Sequence, residues 1–230
     1  MTIPAAALGE AATLPFARIV VATDGGLASA HALAWTRALA SAAGGRVWLL
    51  HVRQRPGPAD RPAAERVLLD AESTLGMPAV HGLFGYGAPA PEILGLAGSV
   101  KARLLVLGVQ GALDPVAEAV AAASGCSVLL ARGAPPPRRV AVLPLASPQG
   151  RRAAGMGLAL ARTLGVPGTL LAGAPSTGAG IVEATRLAGA DLLVLSARGA
   201  GRGRGTVLDA AARDVASQAS SSVLVLKDRL

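Results

Sequence analysis

The segment 198–205 has the most distinctive chemistry in the sequence. It contains Arg198, Arg202 and Arg204 among four glycines. Guanidinium groups on a glycine-rich chain could clamp a polyphosphate or a nucleic-acid backbone through two-point hydrogen bonds. Residues 133–230 carry twelve basic against five acidic side chains, whereas residues 1–132 carry ten against nine, which favours such an anion contact. The alternative is a solvated loop with no ligand.

The sequence contains no recognisable catalytic or metal-binding constellation. Its single cysteine, Cys126, excludes an internal disulfide and a cysteine-rich zinc site. The histidines His31, His51 and His81 are isolated and lack metal-ligand spacing. Aromatic residues make up only 2% of the chain, which disfavours stacking of nucleobases on aromatic side chains. We therefore predict no catalytic residues, no bound metal and no enzymatic activity.

An internal repeat organises the chain. Residues 102–111 and 190–199 share six of ten identities, including Leu-Leu-Val-Leu and a final glycine. The pairs 127–132 and 222–227, and 17–24 and 138–145, repeat in the same order. The proline-rich segment 133–137 separates the copies, because proline does not continue a central strand. We predict a flexible N-terminal tail over 1–15, a first domain over 16–132, a linker over 133–137 and a second domain over 138–230.

Short apolar runs alternate with helical segments in the first copy. We predict strands at 17–23, 46–52, 77–84, 103–108 and 127–131, with helices between them, which is typical of a parallel sheet covered on both faces. The second copy is shorter, and one helix and one strand equivalent to about 59–85 are missing from it. No apolar run reaches the roughly 18 residues that a membrane span requires.

Residues 16–132 resemble the universal stress protein family, and residues 138–227 do so more thinly. The resemblance is carried by Ile19-Val20-Val21-Ala22-Thr23-Asp24, by Val47–Val52 and by the run 104–111. It implies two tandem flavodoxin/Rossmann-like α/β domains with parallel sheets. It also implies a site for an adenine nucleotide, ATP or AMP. The positions that match the nucleotide-binding residues of the family are Ala22, Thr23, Asp24, Val52, Gly108, Gly111 and, in the second copy, Gly199.

The sequence departs from the family where a phosphate would bind. Asp114-Pro115 and Asp209-Ala210 stand where the family has glycine followed by Ser or Thr, and Leu145 replaces the first-strand aspartate in the second copy. An aspartate before a helix caps its free N–H groups, which would otherwise hold the phosphate. The expected ligand is therefore a nucleoside or a monophosphate near Asp24 rather than a triphosphate.

These observations predict a cytoplasmic, non-catalytic stress-response or regulatory module. The closing strands of the two copies, Ser127–Ala131 and Ser222–Leu226, are expected to pair as an internal pseudo-dimer, and a further homodimer and a regulatory protein partner stay open. Two alternatives remain: a nucleotide-hydrolysing enzyme of the same superfamily, which would need an intact phosphate loop, and a basic nucleic-acid-associated protein that uses the segment 198–205.

Overall fold

The computed structural model describes residues 2–3, 14–53, 57, 61–144, 147–173, 176–196 and 210–227. Within these residues the chain forms ten strands and seven helices. The strands are β1 (Thr2–Ile3), β2 (Arg18–Ala22), β3 (Arg46–Arg53), β4 (Val80–Tyr86), β5 (Leu104–Gly108), β6 (Ser127–Ala131), β7 (Val140–Val142), β8 (Gly168–Leu170), β9 (Leu192–Ser196) and β10 (Ser222–Leu226). The helices are α1 (Leu27–Ala43), α2 (Arg61–Leu75), α3 (Pro89–Ser99), α4 (Pro115–Ala123), α5 (Pro148–Thr163), α6 (Gly178–Leu187) and α7 (Ala210–Gln218).

All the described strands belong to one sheet, in the order β1-β8-β7-β9-β10-β6-β5-β2-β3-β4. In the first half, β2 lies between β3 and β5, and its pairs, like those of β3 with β4 and β5 with β6, are parallel. In the second half, β7 lies in parallel between β8 and β9, and β9 is parallel to β10. The α/β fold with a mostly parallel, Rossmann-like sheet that the sequence predicts is confirmed.

Helices cover both faces of this sheet, which explains the unbroken apolar strands. In β5, Leu104 and Val106 pack on the face covered by α1, α2 and α5, whereas Leu105 and Leu107 pack on the face covered by α3, α4, α6 and α7. A strand buried on both faces needs an apolar side chain at every position, not at every second one. Each of the two core clusters contains residues of both halves of the chain, so the halves share their packing.

The second half is smaller at the edge of the sheet. The described residues contain no counterpart of α2 and β4 between β8 and α6, as the length of the second copy predicts. The short strand β1 lies beside β8 instead, antiparallel, with Thr2 opposite Thr169 and Ile3 opposite Gly168. The beginning of the chain therefore occupies the position next to β8 that β4 holds next to β3 in the first half.

Part of the predicted N-terminal tail belongs to the folded structure. Besides the pairing of β1, Leu14 is only 4% exposed and packs in the same core cluster as Phe16. An apolar side chain gains free energy by leaving water, so these residues order the chain ahead of β2. Residues 4–13 lie outside the described part. The strand predicted at 77–84 is also shifted along the chain. In the structure it is β4, which begins at Val80 and ends at Tyr86.

The two halves meet where β6 and β10 pair antiparallel. At each end of this β6–β10 seam, a serine side chain forms a hydrogen bond to the residue that directly follows the other strand. Ser222 Oγ donates to the carbonyl oxygen of Arg132 at 2.6 Å and accepts from its N–H at 2.9 Å. At the other end, Ser127 Oγ accepts from the N–H of Lys227 at 3.2 Å. This is the strand pairing that an internal pseudo-dimer of the two repeats requires.

Two buried cations reach across the seam in reciprocal fashion. Arg132, which follows β6, is 8% exposed and donates from Nη2 to the carbonyl oxygen of Ala216 in α7 at 2.6 Å. Lys227, which follows β10, is 2% exposed and donates from Nζ to the carbonyl oxygens of Ser124 (2.5 Å) and Ala121 (3.2 Å) at the end of α4. Each half therefore supplies a positive charge to the negative C-terminal end of a helix in the other half.

Candidate functional site

A cavity of about 550 Å³ opens at the carboxyl ends of β2 and β5, beside the N-termini of α1, α3 and α4. Small-molecule sites typically measure about 300–1,000 Å³, and those of open α/β sheets lie at this edge. The cavity therefore has the size and the position of a ligand site. Its lining residues are Ala22, Thr23, Asp24, Ala28, Ser29, Val52, Pro89, Leu107, Gly108, Gln110, Asp114, Pro115, Val116 and Ala117.

Asp24 is held at the cavity by two hydrogen bonds to one of its carboxylate oxygens. Its Oδ1 accepts from the N–H of Gly26 at 2.8 Å and from the hydroxyl of Ser29 at 2.6 Å. The Ser29 hydroxyl holds the pKa of the Asp24 carboxyl below its usual value, although partial burial acts in the opposite direction. The group is therefore ionised at neutral pH. Its Oδ2 has no hydrogen-bond partner among the described residues and is left to accept from a ligand.

The backbone beneath Asp24 is held by side chains from neighbouring elements. The carbonyl oxygen of Thr23 is 2.9 Å from Nδ1 of His51, which lies on β3. Because a carbonyl oxygen only accepts, this contact assigns the proton to Nδ1. The hydroxyl of Thr23 accepts from the N–H of Gly25 at 3.2 Å. His51 thus positions the turn that carries Asp24, and it is not among the residues that line the cavity.

The two glycines of the first half have different structural roles. A Cβ at Gly108 would overlap the backbone of Ala28 in the first turn of α1, so only glycine allows this helix to approach β5 so closely. Gly111 has φ +63°, in the left-handed region that favours glycine, and its carbonyl oxygen accepts from Nη2 of Arg132 at 3.0 Å. Gly111 does not line the cavity, so its glycine is required by the loop itself.

The first turn of α4 has no free N–H group for a phosphate. Pro115 has no N–H, and Oδ1 of Asp114 accepts from the N–H groups of Val116 and Ala117, both at 2.8 Å. The N–H of Glu118 donates to the carbonyl oxygen of Asp114 at 3.0 Å. All four first-turn positions are therefore accounted for, whereas an anion-binding helix terminus leaves such groups open. The cap that the sequence predicts at Asp114 is present.

Most of the sequence-predicted site residues meet in this cavity. Five of them line it, namely Ala22, Thr23, Asp24, Val52 and Gly108. Gly111 lies on the loop after β5 and does not line the cavity. Gly199 lies outside the described residues, as do Asp209, Leu145 and the arginines of 198–205. The sequence reasoning missed Ser29 and Gln110. Ser29 could have been found as a first-turn residue of the helix that follows β2, since that turn must face the same edge of the sheet.

Neither a metal centre nor a membrane span occurs in the part of the chain that the structure describes. No group of three His, Cys, Asp or Glu side chains there could hold a metal ion. No helix among the described residues is long and apolar enough to cross a membrane.

Comparison with known proteins places the first half in a family. The sequence model of the universal stress protein family matches residues 15–132. Among curated protein sequences no relative matches the chain. A universal stress protein solved in complex with cAMP is 28% identical and covers 50% of this chain and 95% of its own, with a TM-score of 0.44.

Two solved structures match nearly the whole chain. The functionally unknown protein PA1789 from Pseudomonas aeruginosa PAO1 is 16% identical, covers 94% of both chains and has a TM-score of 0.72. A universal stress protein from Archaeoglobus fulgidus DSM 4304 is also 16% identical, covers 93% of this chain and 99% of its own, and has a TM-score of 0.71. At this identity the likeness establishes the fold. Since the family model spans slightly more than half of the 230 residues, the chain belongs to the universal stress protein family.

Proposed function

We propose that the protein binds an adenine nucleoside or nucleotide in the cavity beside Asp24 and acts in the cytoplasm as a non-catalytic regulatory module. The observation that carries the proposal is Oδ2 of an ionised carboxylate, which has no hydrogen-bond partner among the described residues and lies at a cavity of about 550 Å³. A carboxylate oxygen in this position accepts from a ribose hydroxyl or from an exocyclic amine. The apolar walls, among them Val52 and Leu107, suit the flat face of a base.

The same residues support binding rather than catalysis. The hydroxyl of Ser29 is 6% exposed and donates to Asp24, so it is bonded to an acceptor that also holds the N–H of Gly26. Asp114 is similarly engaged by the first turn of α4. Nucleophilic catalysis needs an effective base within hydrogen-bond reach of the nucleophile. The acceptor of the Ser29 hydroxyl is Asp24, whose lowered pKa makes it a weak base, and no histidine or lysine lies among the described lining residues. These contacts support a function in which the ligand is bound without being turned over.

Calorimetry with adenosine and AMP tests the proposal, together with mass spectrometry of any small molecule released on denaturation. Asp24→Asn keeps an oxygen for Gly26 and Ser29 and replaces Oδ2 by an amide donor. Loss of a hydrogen bond to a charged group weakens binding by roughly 10- to 150-fold. Asp70→Asn, on α2 and outside this cavity, is the matched control. Undiminished binding in Asp24→Asn would contradict the site, and steady release of ADP from ATP would support the enzymatic alternative.

The second candidate function is an anion contact through Arg198, Arg202 and Arg204. Those residues lie outside the described part of the chain, and the excess of basic side chains over residues 133–230 supports the candidate. A mobility shift with DNA or RNA that weakens steeply with salt would support it. The same shift in a variant with all three arginines changed to serine would contradict it. A homodimer, or a complex with a regulatory protein, would form in addition to the internal pairing of β6 with β10.

A further inference from the structure

We propose that the cavity beside Asp24 selects adenine nucleosides that carry no phosphate, and favours those with an ammonium group, over AMP and ATP. This selectivity rests on the proposed function, because it names the ligand class of the same cavity. Three features of the described residues carry it: the charge of the lining, the capped start of α4 and the hydrogen bonds of Arg132, the buried cation that contacts the loop after β5.

The charged lining is entirely acidic among the described residues. Asp24, after β2, and Asp114, before α4, contribute carboxylates to the lining, and the described lining residues include no lysine, arginine or histidine. Both side chains are exposed at the mouth of the cavity. A phosphate group bound here would lie near at least one like charge with no counter-charge in the wall, whereas an ammonium group would meet a carboxylate.

The first turn of α4 offers a phosphate no free N–H group. The first-turn amides of α4 are bonded to Asp114, and Pro115 has no N–H to give. A phosphate would have to displace the cap and leave the carboxylate beside it. By contrast, Oδ2 of Asp114 has no hydrogen-bond partner among the described residues, so this oxygen can accept from a hydroxyl or an ammonium group of the ligand.

The buried cation Arg132 contacts the loop after β5 but does not line the cavity. The guanidinium of Arg132 donates to the carbonyl oxygens of Gly111 and Ala216, and its Nε and Nη1 are fully buried. It is not part of the lining and cannot reach a ligand without leaving both carbonyls. The guanidinium is therefore bonded to the loop and to α7 and makes no hydrogen bond with the two carboxylates of the lining.

Calorimetry of the full chain at matched ionic strength tests the selectivity with adenosine, 5′-amino-5′-deoxyadenosine, AMP and ATP. We expect AMP to bind about five- to tenfold more weakly than adenosine, ATP more weakly still, and the 5′-amino compound a few-fold more tightly, the size of effect that one charge near a solvent-facing carboxylate produces. These ratios should shrink as salt is added.

Asp114→Asn is the decisive variant. Asparagine is as good a cap as aspartate, so α4 is retained while one negative charge is lost. The variant should bind AMP more tightly than the wild type and lose the advantage of the 5′-amino compound, whereas Asp70→Asn should leave the order unchanged. Equal or tighter binding of AMP or ATP by the wild type would overturn the selectivity and leave the proposed function standing. If none of the four compounds binds, both fail.

Discussion

Lys227 makes the stability of the protein depend on pH in a window that the structure defines. Its ammonium group is buried in the seam, where it donates to the carbonyl oxygens of Ala121 and Ser124. Burial lowers the pKa of Lys227 from 10.5 to about 8, and the charge of neighbouring Cys126 partly opposes this shift. In the unfolded chain the pKa returns to the ordinary value of about 10.4.

The sign of the effect follows from which state holds the proton. Between about pH 8 and 10.5 the unfolded chain binds a proton that the folded chain has released, so the free energy of unfolding rises with pH. Below pH 8 both states are charged and the full cost of burying the ammonium group is present. A shift of this size corresponds to about 3 kcal/mol in total, of which about 2 kcal/mol is recovered between pH 7 and 9.5.

Lys227→Met is the test, because methionine keeps most of the side-chain volume and does not titrate. Burial raises the pKa of the Cys126 thiol, which makes stability fall at high pH, so both proteins should carry Cys126→Ala. Guanidinium chloride unfolding followed by circular dichroism at pH 7, 8, 9 and 9.5 gives the free energies. We expect the rise of about 2 kcal/mol in the lysine protein to be absent from the methionine protein.

Arg132 supplies an internal control for this reasoning. It occupies the reciprocal position across the seam, but a guanidinium stays protonated throughout the pH range tested. Arg132→Met should therefore lower stability by a similar amount at every pH, because it leaves the carbonyls of Gly111 and Ala216 without this donor. Parallel pH profiles for the lysine and methionine proteins would refute the assignment of the titration to Lys227.

Three further predictions follow from the packing and the caps. Residues 138–230 expressed alone should be insoluble or molten, since β10 loses β6, one of its two partner strands. A dispersed amide spectrum and a cooperative melt would contradict this. Gly108→Ala should lower the free energy of unfolding by about 1–3 kcal/mol, because the new methyl group meets the backbone of α1. The control Gly125→Ala has open space around the new methyl group and should not lower it. Equal melting temperatures of the two variants would contradict this prediction. Asp209→Gly with Ala210→Ser should raise the affinity for ATP if Asp209 closes the second phosphate position, and unchanged calorimetric titrations would show that it does not.

The sequence alone determined the features that depend on local pattern. Parallel strands that are covered on both faces appear in the sequence as unbroken apolar runs. For this reason β5 and β9 could be recognised as strands and matched as repeats. The missing helix and strand followed from the lengths between matched blocks. The cap at Asp114 was also readable, because an aspartate followed by proline needs only its own next three residues to satisfy the helix N-terminus.

Only the tertiary structure decided the features that depend on distant contacts. Lys227 and Arg132 are charged residues after strands, and nothing in their neighbours distinguishes them from exposed cations; their burial depends on helix ends about 100 and 84 positions away in the chain. The reason for Gly108 is the close approach of α1, which lies about 80 positions earlier in the chain. The place of β1 beside β8 depends on two residues, too few for a periodic pattern. Local hydrogen bonds and periodicity are encoded within a few residues, whereas burial and pairing across a seam exist only once both halves have folded together.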